Sequence, residues 1–280
     1  MSKRVILMVF LLSLSLLTAG FCRAASIGDL IEDVDSAREP EEPVPEETVI
    51  TVPDSDKYKT AKDGILNGTI LGFDRNMLFS FHHAEDRGND DFLLIGFEGS
   101  GMNPRAEESA CIIRNEALKP YNVIDFTVAN EISYWQKKES AKAAEVYSTV
   151  VMNTIHEKFD GIKTVGIYAF SKGSSGVDCV FAKLRKEGFR VAFIWLNDSF
   201  AVNGISNVII ALLNNEITLY NRYSNSKRLN PQSMEFDQLY ADRPNVDSRH
   251  VGTSHGGLTK YETFTEELVA AIEKAIDENR

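Results

Sequence analysis

The stretch VGIYAFSKGSSGV, residues 165–177, runs apolar for six positions, meets Ser171 and then turns small and polar. A serine hydroxyl acts as a nucleophile when a sharp strand-to-helix turn holds it out within reach of a base. Such a turn strains the backbone of its central residue, so the positions two before and two after must be small. Around Ser171 these are Ala169 and Gly173. The nearby serines fail this test: Ser174 has Lys172 two before it, Ser175 has Val177 two after it, and Ser100 has Glu98 two before it. The turn would also set the amide of Lys172 at a helix N-terminus, where an N–H meets a developing oxyanion. The plainer reading of the segment is an ordinary strand-to-helix turn.

These residues need elements to position them. From Lys57 onward strand-like and helix-like segments alternate. GILNGTILGF and NMLFSFHHA, separated by Asp74-Arg75-Asn76, predict an antiparallel hairpin. FLLIGF predicts a strand buried on both faces, RAEESACIIRNEALK a helix and YNVIDFTV a strand. SYWQKKESAKAAEVYSTVVMNTIHEKF carries apolar residues at helical intervals, and KTVGIYAF is the strand that delivers Ser171. SSGVDCVFAKLRKEGF is a helix closed near Gly188, followed by strand RVAFIWLND, helix ISNVIIALLNN and strand EITLYNRY. LTKYETFTEELVAAIEKAI is an amphipathic last helix. Strands separated by helical crossovers imply one doubly wound, mostly parallel α/β sheet with an antiparallel leading hairpin, over residues 58–280.

The N-terminal part has a different composition. Lys3 and Arg4 precede VILMVFLLSLSLL, and Ala24 and Ala25 follow, so residues 1–25 read as a signal peptide that is removed, leaving no stable membrane span. Phe21 makes Cys22 a poor lipoprotein site. Residues 26–57 hold eleven Asp and Glu against Arg38 and Lys57, with Pro40, Pro43, Pro45 and Pro53. That composition predicts a disordered acidic linker, and with a net charge of −11 it argues against nucleic acid as a partner. The expected location is secreted or periplasmic. Cys111 and Cys179 form no disulfide framework and read as buried apolar side chains on opposite faces of the sheet. Asn67 and Asn197 stand in glycosylation acceptor patterns.

The chain resembles the α/β-hydrolase superfamily over roughly residues 62–280, and AFSKG departs from the family's G-x-S-x-G only at Ala169. The resemblance implies a serine esterase or lipase-like enzyme that cleaves a small-molecule or lipid ester without cofactor or metal. It gives Ser171 the role of nucleophile and His255, in HVGTSHGGLTKYETF, that of general base, with His250 in SRHVG as the competitor. LLIGFEGSG is similar to the family's oxyanion loop, with Ile95 where a histidine often stands. By that alignment the Phe97 amide joins that of Lys172 in an oxyanion hole, or the Glu98 amide does if the loop is shifted by one. The family usually takes its acid from the end of the seventh strand, but LYNRYSN holds no carboxylate. Asp198, one strand earlier, is the first candidate; Asp237, Asp242 and Asp247 are the others.

Alternatives stay open. An inactive hydrolase-fold binding protein, an amidase and a thioesterase fit the same pattern. Gly96, Gly99 and Gly101 with Tyr134 and Lys138 suggest a nucleotide-dependent oxidoreductase, but their order is wrong for G-x-G-x-x-G. HHAED is a weak metal pattern, because adjacent histidines on a strand point to opposite faces. Met234, Phe236, Leu239 and Tyr240, in a helix expected to start at Pro231, either line an acyl pocket or pin the loop from Arg222 to Arg249 to the body.

Overall fold

The computed structural model describes residues 65–70, 73–85, 89–99, 102–127, 139–199, 205–226, 230–261 and 263–280. The expected signal peptide and acidic linker lie outside them, as do Cys22, Gly101, Tyr134 and Lys138.

Within FLLIGFE and TVGIYAF, residues 92–97 and 165–170 are apolar without alternation, and every residue of both strands is buried. A strand can bury both faces only when both are covered, and here two apolar layers do so. The strands are β1 Ile65–Ile70, β2 Phe73–His82, β3 Phe92–Glu98, β4 Asn122–Thr127, β5 Thr164–Phe170, β6 Arg190–Asn197, β7 Thr218–Tyr223 and β8 Val246–His250. The helices are α1 Glu139–Lys158, α2 Val177–Lys186, α3 Ser206–Leu213, α4 Asn230–Tyr240 and α5 Phe264–Asp277. The sheet runs β1-β2-β4-β3-β5-β6-β7-β8. The pairs β1–β2 and β2–β4 are antiparallel, and the other five are parallel. One face packs Tyr147, Val151 and Ile155 of α1, Val177, Val180, Phe181 and Leu184 of α2, Val208 and Leu212 of α3, and Phe236 of α4. Leu268, Ala271, Ile272 and Ala275 of α5 close the other face with Trp195 and Tyr168. At roughly 1.5–3 kcal/mol per fully buried large apolar side chain, these layers are the main favourable term in folding.

Helix ends are satisfied across elements. The α3 terminus has no side-chain cap of its own, and Asp178 of α2 accepts from the amides of Asn207 and Val208 at 2.8 and 3.1 Å. Gly188, at φ +83, ends the turn after α2, and the Phe189 amide bonds back to the Leu184 carbonyl at 2.9 Å.

Two expectations are corrected. Asp74-Arg75-Asn76 is no break: Ile70 pairs with Phe73, and these residues lie inside β2 opposite Thr69, Gly68 and Asn67. Polar residues are tolerated there because the ladder is at the sheet edge. The segment RAEESACIIRNEALK forms no α-helix, only short 3₁₀ turns at Ile112–Arg114 and Glu116–Leu118. Its amides are used elsewhere: that of Ile112 donates to Glu98 Oε1 at 2.6 Å and that of Ile113 to Asp125 Oδ2 at 3.4 Å. Cys111, expected on that helix, lies in the connection; it packs on the α5 face, and Cys179 packs on the other, both as free thiols.

Glu98 and Asp125 are fully buried side by side. Were both ionised, Glu98 Oε2 and Asp125 Oδ1 would have no donor; a shared proton supplies one. Burial is the main cause that raises both groups, Glu98 to about 7 and Asp125 well above its ordinary range, where the Glu98 charge adds to it. Gly96 leaves room for the pair, since a Cβ there would stand 2.4 Å from Asp125 Oδ1.

The folded chain therefore binds more protons than the unfolded chain between pH 4.5 and about 7. Stability should fall as pH rises through that window, by up to about 1.4 kcal/mol per pH unit for one proton. Urea unfolding at pH 5 and pH 7.5 should show this loss, and the double variant Glu98→Gln/Asp125→Asn, which removes both carboxyls, should flatten it. An equal slope in the double variant and wild type would refute this assignment.

Candidate functional site

Ser171 follows β5 with φ +52, left-handed backbone that a non-glycine residue adopts at a cost of roughly 1–2 kcal/mol. A six-residue 3₁₀ run, Ser171–Gly176, leads from it into α2. The steric rule read from the sequence has a concrete cause at Gly173: a Cβ there would fall 1.9 Å from the carbonyl oxygen of Phe97. The turn is pressed against the end of β3. Gly99 closes the contact from the other side, where a Cβ would stand 3.1 Å from Ser171 Cβ and 3.0 Å from the Phe170 ring.

His255 opens a 3₁₀ turn, His255–Lys260, capped by the Ser254 hydroxyl, which accepts from the Gly257 amide at 3.2 Å. Its ring stacks on Phe170 with centroids 4.8 Å apart. His255 Nε2 lies 3.0 Å from Ser171 Oγ, and His255 Nδ1 lies 2.7 Å from Asp198 Oδ2. An ionised carboxylate only accepts, so with Asp198 ionised the ring proton sits on Nδ1 and the Nε2 lone pair faces the serine hydroxyl. Asp198 itself is fully buried just past β6, with φ +43 and its amide donating to the Arg222 carbonyl at 2.8 Å. Adjacent strands β5 and β6 thus deliver Ser171 and Asp198 at their carboxyl ends, where open α/β sheets place their sites.

The other candidates lie elsewhere. Asp237 faces the Tyr223 hydroxyl at 3.4 Å, and Asp242 is exposed. Asp247 pairs with Arg222 at 2.9 Å and Arg249 at 2.7 Å. His250 ends β8, exposed, with its ring against Tyr223. Phe97 is a ladder residue of β3, level with Phe126 and Ala169, its ring buried between Phe126 and Tyr147. The Glu98 side chain is directed to Ile112 and Asp125. Of this turn, Gly99 comes up against Ser171, and Lys172 directly follows Ser171 in the 3₁₀ run. In α4, Phe236 is buried in the core with Tyr240 against it, so these two pin the loop, while Met234 and Leu239 are 44% and 63% exposed.

Sequence reasoning gave Gly99, Arg222 and Ser224 no part in this site. The signal available for the last two was the polar run Asn221–Asn225 at a strand end, four of whose five residues are buried. Arg222 is 1% exposed, donates to Asp247 and Glu267, and stacks over Trp195 with its guanidinium carbon 4.9 Å from the ring. Asn197 is fully buried and takes the Trp195 indole N–H at 2.9 Å, which leaves no room for a sugar.

Among the described residues, Glu98, Cys111 and Asp125 bring three possible metal-ligand atoms within 4.8 Å of one another. Burial pushes the Cys111 thiol up, away from the thiolate a ligand must be, and the carboxyl pair is accounted for by its shared proton. His82 donates to the Leu118 carbonyl at 3.2 Å, and the His83 ring packs on Phe159.

No family model matches the sequence, and no curated protein is found similar to it. Among solved structures, a protein of unknown function from Agrobacterium tumefaciens, described as a candidate alpha/beta hydrolase, matches 77% of this chain and 94% of its own at TM-score 0.50 and 9% identity. A candidate aryl esterase from Burkholderia cenocepacia matches 76% of this chain and 99% of its own, at TM-score 0.47 and 12% identity. Est1E from Butyrivibrio proteoclasticus matches 77% and 98%, at TM-score 0.45 and 10% identity. At these identities the likeness is one of fold. With the strand order above, the chain has the alpha/beta hydrolase fold.

The contact at Gly173 is between backbones, so nothing flexible can yield to an added methyl. Gly173→Ala should destabilise the fold by about 2–3 kcal/mol in urea unfolding. Gly256→Ala, with nothing within 4 Å of the new Cβ, should change it by less than about 0.5 kcal/mol. Equal midpoints for the two variants would contradict this packing.

Proposed function

We propose that this protein is an exported serine hydrolase that cleaves carboxylic esters through an acyl-enzyme. One observation carries the reading: a hydroxyl on a left-handed residue at a strand end, 3.0 Å from an imidazole that is itself 2.7 Å from a buried carboxylate. That geometry suits proton removal from Ser171 as it attacks a carbonyl carbon. His255 takes the proton at Nε2, and Asp198 holds the resulting imidazolium. The tetrahedral oxyanion accepts from the Lys172 amide and from an amide of the turn closing β3. Phe97 is the residue the resemblance gives for the second donor, or Glu98 if the loop is shifted by one. One such donor is worth about 3 kcal/mol in related chemistry. His255 then protonates the leaving alkoxide, which departs as the alcohol. Water, deprotonated by the same nitrogen, attacks the acyl-enzyme and releases the carboxylic acid and free Ser171. Export rests on the basic, apolar and small order of residues 1–25. Among the described residues no helix is long and apolar enough to cross a membrane.

A fluorophosphonate probe with short-chain p-nitrophenyl esters tests the reading. Wild type should be labelled at Ser171, and Ser171→Ala should lose both labelling and turnover. Asp198→Asn should lower kcat by about 10³–10⁴-fold, with Asp237→Asn and Asp242→Asn near wild type. A wild type that neither labels nor turns over would favour a binding protein on this scaffold. A fully active Asp198→Asn would remove that residue from the mechanism.

A further inference from the structure

Asp198 is buried where water cannot solvate its charge, so the protein must supply its donors. One neighbour supplies two of them. The Ser224 amide donates to Asp198 Oδ1 at 2.7 Å, and the Ser224 hydroxyl donates to Asp198 Oδ2, the oxygen that also receives His255 Nδ1. The direction of that hydroxyl is fixed from behind. Ser224 Oγ accepts from the Ser226 amide at 3.1 Å, which leaves its proton to point at the carboxylate. Ser224 is itself fully buried, one residue past β7.

The backbone around Ser224 ties the two halves of the site together. The Arg222 carbonyl accepts from the Asp198 amide at 2.8 Å, and the Tyr223 carbonyl accepts from Val251 at 2.8 Å. The Asn225 amide donates to the Thr253 carbonyl at 2.9 Å, two residues before His255. Residues 222–225 therefore touch the acid on one side and the loop bearing the base on the other. Arg222, clamped by Glu267 and Asp247, fixes where this segment lies.

We infer that Ser224 is a positioning residue of the reaction proposed above: its hydroxyl holds Asp198 in the rotamer that orients His255. The inference rests on the Ser171–His255–Asp198 reading. It differs from a purely structural role in where the loss should fall. Removing the hydroxyl leaves the ester-binding surface and the Ser224 amide in place, so ester binding should be untouched while the step that needs an oriented imidazole slows.

The test uses the full chain and p-nitrophenyl acetate. Ser224→Ala should lower kcat on the order of 10- to 100-fold, the worth of one hydrogen bond to a charged group, with KM within about twofold of wild type. Fluorophosphonate labelling should slow in proportion yet still reach one label per chain, showing a folded site. Ser224→Thr, which restores a hydroxyl, should recover most of kcat. A Ser224→Ala enzyme with wild-type kcat would overturn the inference and leave the Ser171 reading intact. So would a loss that falls on KM, on the labelled fraction, or equally on Ser224→Thr. A wild type that takes no label at Ser171 would overturn both.

Discussion

A single backbone approach governs the carboxyl end of this sheet: the turn after β5 is pushed so close to the end of β3 that residue 173 can carry no side chain. Its partner condition is the left-handed backbone of Ser171. A strand cannot continue through such a residue, so the chain reverses there, and the hydroxyl stands clear of the sheet as α2 begins. The parallel ladder makes that position meaningful. β5 lies between β3 and β6, so the three strands deliver their carboxyl ends to one place.

Around that place the protein buries charge twice, with different solutions. Glu98 and Asp125 face each other with no cation between them among the described residues, and a proton reconciles them. They also draw in the Ile112 and Ile113 amides, holding the β3–β4 connection in short turns against the sheet. Asp198 is reconciled by donors instead: a serine amide, a serine hydroxyl and an imidazole. A carboxyl that shares a proton has little left to offer a reaction. One held by donors, with an oxygen 2.7 Å from His255 Nδ1, is placed to orient that ring.

The sequence made some of this legible, and the reasons are physical. β3 and β5 read directly, because burial on both faces forces unbroken apolar runs. Ala169 and Gly173 read as a steric pair because the turn's requirement is local. The helix expected over residues 105–119 failed because its amides are captured by carboxylates twelve and fourteen positions away, a contact with no local signature. The hairpin break was misplaced because Asp-Arg-Asn resembles a turn when the pairing is unknown. Asp198 came first among four aspartates as partner for His255 but could not be separated from the rest, since only the order β5-β6-β7-β8 brings Asp198 beside it and leaves the others at a distance. Ser224 had no distinguishing mark, as serine after a strand is commonplace.

Ser171 and Asp198 share an oddity: each is a non-glycine residue in left-handed backbone at the end of neighbouring strands. Glycine would be the lower-strain occupant of both. A sequence drifting only toward a more durable scaffold would be drawn to glycine at 171 and 198, and each step would remove a side chain that the proposed reaction uses while easing the fold. The durability of this molecule and the reactivity proposed for it thus pull on the same two backbone angles in opposite senses, and stabilising it by design has to begin elsewhere.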